Sequence, residues 1–113
     1  MNPRQRLGRD GEDAAAAYLA SLGFRILGRN VRGPAGEIDI IARDGAMLVF
    51  VEVKARRSRT FGPALGAVDL RKRKRLRAAA ADYLQFVAPH AKARFDVLAI
   101  DGDAMHLYRG AFA

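Results

Sequence analysis

The stretch from Gly36 to Arg56 constrains this chain more than any other part of it. Two apolar runs are separated by Asp44-Gly45, a dipeptide typical of a tight hairpin turn that needs a positive φ. The second run is apolar at every position from Leu48 to Val51, which is typical of a strand buried on both faces. Charged residues follow at once, and buried charges cost several kcal/mol unless they are paired, hydrated or bound to metal. The rest of the fold must therefore satisfy these charges.

Four ionisable side chains interrupt the two runs: Glu37, Asp39, Glu52 and Lys54. Because side chains alternate along a strand, Glu37 shares a face with Asp39, and Glu52 shares a face with Lys54. Asp39 and Glu52 on paired strands are expected to converge, and their oxygen ligands suit Mg²⁺ or Mn²⁺. Lys54 would then position or deprotonate a water, or stabilise charge on phosphate oxygens. The alternative is a Glu52–Lys54 pair that only balances charge.

The order of elements predicts an α/β fold with a mixed central sheet flanked by helices. Strands three and four, separated by a helix, are expected to be parallel neighbours joined by a crossover. Since half of the 113 residues are hydrophobic, residues 1–113 are expected to form one domain with a real core. The predicted elements are a helix over 4–21 ended by Gly23, strands over 24–31, 36–42 and 48–55, a helix over 69–87 capped by Asp69, and strands over 94–100 and 105–108.

Glu12 in the first helix is a candidate third acid of the site. It lies seven residues before Leu19, at the edge of an apolar stripe that includes Gly8, Ala15, Leu19 and Leu22. Glu12 could join the metal or orient one of its waters, or it could simply pair with Arg9 or Arg25. The second helix has a predicted buried stripe of Leu76, Ala80, Tyr83 and Val87.

The net charge of +8 is concentrated in residues 54–77, which hold ten Lys and Arg against one acid, Asp69. Cations in the first turns of the second helix oppose its macrodipole, so stability alone does not explain them. A phosphate ligand does, because a helix N-terminus and cations attract it together. A solubilising surface and an acidic protein partner remain alternatives. The predicted nucleic-acid contacts are Arg56, Arg57, Arg59, Arg71, Lys72, Lys74 and Arg75.

Several other functions find no support in the sequence. The chain has no cysteine, which excludes a disulfide framework and a thiolate metal site. No run approaches the roughly 18 apolar residues of a membrane span, and the charged N-terminus lacks a signal-peptide pattern, so we expect a cytoplasmic protein without membrane contact. His90 and His106 stand alone and are expected at the surface.

The motifs together resemble the YraN family of small bacterial proteins along nearly the whole chain, and the PD-(D/E)XK nuclease core of the restriction-endonuclease-like fold. The matching stretches are GRDGEDAA at 8–15, GEIDIIA at 36–42, VFVEVK at 49–54 and RFDV at 94–97. Ile38 stands where the superfamily's name has proline. The resemblance implies Glu12, Asp39 and Glu52 as metal ligands and Lys54 as the catalytic lysine. It also implies a likeness in fold to Holliday-junction resolvases, which work as dimers.

The function expected from these observations is Mg²⁺- or Mn²⁺-dependent hydrolysis of phosphodiester bonds in DNA, branched or damaged DNA included. The rival is a nucleic-acid-binding or adaptor protein that keeps the nuclease fold without cleaving, since a fold does not fix an activity. Such a protein would bind nucleic acid without metal.

Overall fold

The computed structural model describes residues 3–56, 70–102 and 104–112. Two helices and five strands form a mixed α/β fold in the predicted α-β-β-β-α-β order, with an added edge strand. The elements are α1 (Pro3–Ser21), β1 (Arg25–Gly33), β2 (Gly36–Asp44), β3 (Met47–Arg56), α2 (Leu70–Val87), β4 (Ala93–Asp101) and β5 (Ala104–Phe112). The predicted cap Asp69 and residues 57–68 before it lie outside the described residues.

The five strands make one sheet in the order β1-β2-β3-β4-β5. Strands β3 and β4 are parallel, as predicted, and every other neighbouring pair is antiparallel. The predicted turn between β2 and β3 is confirmed, since Gly45 has a φ of 62° that glycine adopts without a Cβ clash. The doubly apolar run of β3 is buried on both sides, with Leu48, Val49, Phe50 and Val51 each at most 6% exposed.

Helix α1 covers one face of the sheet. Its Ala15 and Leu19 are fully buried against Ile40, Val49, Val51, Leu98 and Ile100. The helix ends as predicted at Gly23 (φ 94°), where Phe24 N donates to Leu19 O at 3.1 Å and Gly23 N to Ala20 O at 3.0 Å. The prediction that Leu22 continues the apolar stripe is wrong: Leu22 is 41% exposed because the helix has already ended. The side-chain surroundings of position 8 lie outside the described part of the chain.

Helix α2 covers the other face, where Ala79 and Ala80 pack with Ile38, Ile41, Leu48 and Phe50. Tyr83 meets Phe50 edge to face at 5.9 Å between ring centroids. Leu76 is buried as predicted, but Val87 is 62% exposed, so its place in the buried stripe was wrong. Val87 is the last residue of the helix.

A buried ion pair joins β4 to its neighbours on the α1 side of the sheet. Asp96, fully buried, accepts from Arg94 through both oxygens, at 2.8 and 2.9 Å, and from the Gly110 amide at 2.9 Å. Arg94 also donates to Asp44 at 3.1 Å, and its guanidinium lies 5.7 Å from the centre of the Phe24 ring. Asp96 thus holds β5 to β4, and its partner Arg94 holds the end of β2 before the β2–β3 turn.

Candidate active site

The backbone of β2 places Asp39 beside β3 in an unusual way. The paired register of the two strands runs from Asp44↔Met47 to Ile40↔Val51 and stops there. Beyond it, Asp39 Oδ2 accepts a hydrogen bond of 2.9 Å from the Val53 amide, where a regular ladder would use a main-chain carbonyl. Ile38 packs on the α2 side of the sheet and Ile40 on the α1 side, so the regular alternation of β2 breaks at Asp39.

Asp39 and Glu52 meet in a cleft of about 230 Å³ between the edge of this hairpin and the first turns of α2. The cleft is lined by Gly36, Glu37, Asp39, Glu52, Lys72, Arg75 and Leu76. The predicted convergence of the two carboxylates is therefore present in the structure. Glu52 is only 3% exposed, whereas Glu37 is exposed at the rim of the cleft.

The two carboxylates are too close and too buried for both to ionise freely. Burial, followed by the charge of Glu52, raises the pKa of Asp39 from 3.8 to about 7, although the Val53 amide and Lys72 act in the other direction. A carboxyl group with such a pKa retains its proton up to about neutral pH, and a divalent cation could take the place of that proton. Raised pKa values of this kind are concentrated at functional sites.

Two lysines complete the group. The Lys72 ammonium, from the first turn of α2, is ion-paired with Glu52. Despite its partial burial, the pKa of Lys72 is raised by Glu52. The pKa of Lys54 is lowered, first by burial and then by the neighbouring Lys72 ammonium. Two acids and two bases therefore balance one another at the end of β3 and the start of α2.

Glu12 does not join this group in the structure. Its carboxylate lies 4.0 Å from Arg29 of β1, which also binds Asp13 at 2.6 Å. Within the described residues, no three His, Asp or Glu side chains lie close enough to hold one metal ion. Glu12 as a third metal ligand remains a prediction, and Asp39 and Glu52 are the two predicted ligands that the structure brings together.

The predicted nucleic-acid residues separate into three groups. Arg71, Lys74 and Arg75 are exposed on the first turns of α2, and Arg75 also lines the cleft. Lys72 points inward to Glu52 instead. The side chain of Arg56 and the residues Arg57 and Arg59 lie outside the described part of the chain. His90 and His106 are exposed, as predicted.

Sequence reasoning placed Lys72 with the phosphate contacts and missed its role beside the acids. A signal was present, because Lys72 lies one helical turn before the buried Leu76 and so on the inner face of α2. Glu37 was noted as a neighbour of Asp39 but not as a site residue, and it lines the cleft. Its exposure makes it a rim residue.

A larger groove of about 470 Å³ lies on the adjoining side of the β1–β2 hairpin, against the second half of α2. Its walls are mainly apolar and include Val31, Ile38, Tyr83 and the 80% exposed Phe86. Arg32 and Asp82 are its charged lining residues. Because converging acids and bases are found in the smaller cleft, the candidate chemistry belongs there and not in the larger groove.

Comparisons with known proteins establish the family. A family model described as "Uncharacterised protein family UPF0102" matches residues 11–100. The chain is 49% identical over 105 residues to a UPF0102 protein of Shewanella loihica, covering 93% of this chain and 92% of that relative. A UPF0102 protein of Moorella thermoacetica is 53% identical over 98 residues, which cover 86% of this chain and 82% of the relative.

A third relative, a UPF0102 protein of Halorhodospira halophila, is 48% identical over 112 residues, 98% of this chain and 89% of the relative. The chain belongs to the UPF0102 family, which confirms the family resemblance drawn from its motifs. Within the described residues, neither helix is long and apolar enough to cross a membrane.

Proposed function

We propose that this UPF0102 protein is a metal-dependent nuclease that hydrolyses phosphodiester bonds in DNA, branched or damaged DNA included. One observation carries the proposal. Asp39 and Glu52 converge in a cleft whose opposite wall is the cationic first turn of α2. An acidic pair suits a divalent cation, and the cations beside it suit the phosphate groups on which that cation would act.

The donor set fits Mg²⁺ or Mn²⁺. Both ions prefer oxygen ligands, and Mg²⁺ commonly binds through one or two carboxylates together with waters and substrate phosphate oxygens. Asp39 and Glu52 are such a pair, and the pKa of Asp39 is raised by burial and then by the charge of Glu52, so a cation here would stabilise the ionised form. A metal held by these two residues would polarise the attacking water and screen the phosphate's charge.

Lys54 is the residue proposed to act on the proton of that water. The pKa of Lys54 is lowered by burial and by Lys72, so Lys54 loses its proton to become a neutral amine more readily than an exposed lysine does. In its charged form the same side chain would stabilise the developing charge on the phosphorus oxygens. The hydrogen bond from the amide of Val53, which lies between Glu52 and Lys54, holds Asp39 beside both residues.

The exposed cations of α2 are proposed to hold the DNA backbone. Arg71, Lys74 and Arg75 lie at the positive end of the helix, where phosphate binding is favoured. Backbone contacts of this kind give affinity and register with little sequence information. Recognition of an unusual DNA structure would then depend on shape.

One observation favours a second candidate, a nucleic-acid-binding protein without cleavage. Lys72 already neutralises Glu52 in the structure, so the acid pair is satisfied without a metal. If that ion pair is permanent, the basic surface of α2 is the functional centre and the acidic cleft is structural.

The test is an incubation of purified protein with labelled branched, single-stranded and duplex DNA, in Mg²⁺, in Mn²⁺ and in EDTA. Asp39→Ala and Lys54→Ala are run beside the wild type, with Lys92→Ala, a change at an exposed lysine far from the cleft in sequence, as the control. The nuclease proposal expects cleavage that requires metal, survives Lys92→Ala and falls at least about 100-fold in the other two variants. Binding without cleavage in every lane would favour the second candidate.

A further inference from the structure

The Lys72 ammonium contacts the buried carboxylate of Glu52, where a metal ion would otherwise bind. Glu52 is 3% exposed, and Lys72, with 35% of its side chain exposed, reaches it from the first turn of α2. A buried carboxylate needs a positive partner, because removing one member of such a pair leaves an uncompensated charge. In this structure Lys72 provides the charge that a metal ion would otherwise provide.

A divalent cation on Asp39 and Glu52 would change this balance. The group already holds the ammonium groups of Lys54 and Lys72 beside its two acids, and Lys72 is ion-paired with Glu52. Two further positive charges between them would be strongly repelled. The Lys72 ammonium must therefore leave Glu52 when a metal binds there.

Lys72 has a suitable second position. It is the third residue of α2 and lies among the exposed cations Arg71, Lys74 and Arg75. Its flexible four-carbon stem lets the ammonium turn from the cleft toward solvent without movement of the helix. A phosphate at the helix N-terminus would bind the released ammonium together with these cations.

We propose that Lys72 couples metal binding to DNA binding: its ammonium holds Glu52 in the free protein and transfers to a DNA phosphate when a metal takes its place. This inference rests on the proposed nuclease function. It makes Lys72 a positioning residue that lowers metal affinity until DNA is present. By linkage, metal must then raise DNA affinity by the same factor that DNA raises metal affinity.

The test measures Mn²⁺ binding by electron paramagnetic resonance, with and without a phosphorothioate duplex that resists cleavage. For the wild type we expect DNA to tighten Mn²⁺ binding about tenfold or more. Lys72→Met keeps an apolar stem and removes the charge. Without DNA, this variant should bind Mn²⁺ about tenfold more tightly than the wild type does, and DNA should increase its Mn²⁺ affinity by a smaller factor. Lys72→Arg should restore weak binding and strong coupling.

Lys92→Met is the matched control, because it removes the same charge from an exposed lysine that does not line the cleft. It should leave Mn²⁺ affinity without DNA within about twofold of the wild type. If Lys72→Met is unstable without metal, its Tm can be measured with and without Mn²⁺. A rise in Tm that is larger than the rise in the wild type supports the replacement of the Lys72 ammonium by metal. Equal Mn²⁺ affinity in wild type and Lys72→Met overturns the coupling and leaves the nuclease proposal standing. A wild type that binds no Mn²⁺ overturns both.

Discussion

The Asp39 carboxylate accepts a hydrogen bond of 2.9 Å from the amide of Val53, the residue that lies between Glu52 and Lys54. A single bond therefore fixes the position of Asp39 relative to both other candidate residues. Glu52 and Lys54 lie where β3 is paired with β4, and the bond from Val53 attaches Asp39 to the same part of the sheet. Site residues on such elements are held more precisely than residues on loops.

Asp39→Asn should stabilise the metal-free protein above neutral pH. The pKa of Asp39 is about 7 in the folded protein and ordinarily 3.8, so the folded state holds this proton more tightly than the unfolded state. The wild type therefore loses stability as the pH rises from about 4 to about 7. The Asn side chain does not titrate, so the variant should not show this loss. Between about pH 5 and pH 8, we expect the wild type to lose about 2 kcal/mol more than Asp39→Asn. Urea unfolding in EDTA at both pH values measures this difference.

Glu37→Gln is the control for that experiment, since Glu37 is an exposed acid on the same strand and at the same cleft. It should follow the pH dependence of the wild type. If Asp39→Asn loses as much stability as the wild type over this pH range, ionisation of the Asp39 carboxyl group is not the cause of the loss.

Metal binding should release a proton near neutral pH. A cation on Asp39 competes with the proton that burial and Glu52 retain there, so metal affinity should rise as pH increases through about 7. Calorimetric titration with Mn²⁺ in buffers of different ionisation enthalpy should give about one proton released per ion at about pH 6 and fewer at about pH 8. Affinity that stays constant over this range would contradict binding at Asp39.

Much of this architecture follows from local patterns in the sequence. The apolar run from Leu48 to Val51 dictates a central strand, and Asp44-Gly45 dictates the turn before it, because few other structures satisfy either pattern. The helix between strands three and four then dictates a parallel pair. The strand β5 extends to Phe112, four residues beyond the predicted end, since exposed and half-buried positions do not alternate regularly along this edge strand and its sequence pattern is weak.

The site was less predictable than the fold. Strict alternation suggested the convergence of Asp39 with Glu52, but the structure achieves it by breaking the alternation of β2 at Asp39, which no periodicity reveals. The pairing of Lys72 with Glu52 joins residues that are distant in sequence and depends on how α2 packs on the sheet. Likewise, Glu12 lies beside Arg29 because of the way α1 packs on the sheet, which the apolar stripe of the helix does not reveal.

Removing cations from the first turns of α2 should weaken DNA binding uniformly across sequences. Arg71→Ala, Lys74→Ala and Arg75→Ala each remove an exposed charge at the proposed phosphate surface. Each lost phosphate contact should reduce the slope of log affinity against log salt by about one. Fluorescence anisotropy with one duplex, between about 50 and 200 mM salt, measures the slope.

Arg43→Ala is the control, because Arg43 is exposed near the turn end of β2, at the opposite end of that strand from Gly36 and the cleft. Its slope should equal that of the wild type. Equal slopes for all four variants would exclude the start of α2 as the DNA-binding surface.

Asp96→Ala should destabilise the fold while leaving the chemistry of the cleft intact. The change removes both oxygens that bind Arg94 and the acceptor of the Gly110 amide, so a guanidinium only 20% exposed loses its main partner. Breaking a buried pair in this way costs about 3 kcal/mol or more, whereas Asp13→Ala, at an exposed pair with Arg29, should cost less than about 1 kcal/mol. Urea unfolding measures both losses, and Mn²⁺ affinity measured well below the Tm should match the wild type in both variants. A large loss of Mn²⁺ affinity in folded Asp96→Ala would mean that the α1 side of the sheet contributes to the metal site after all.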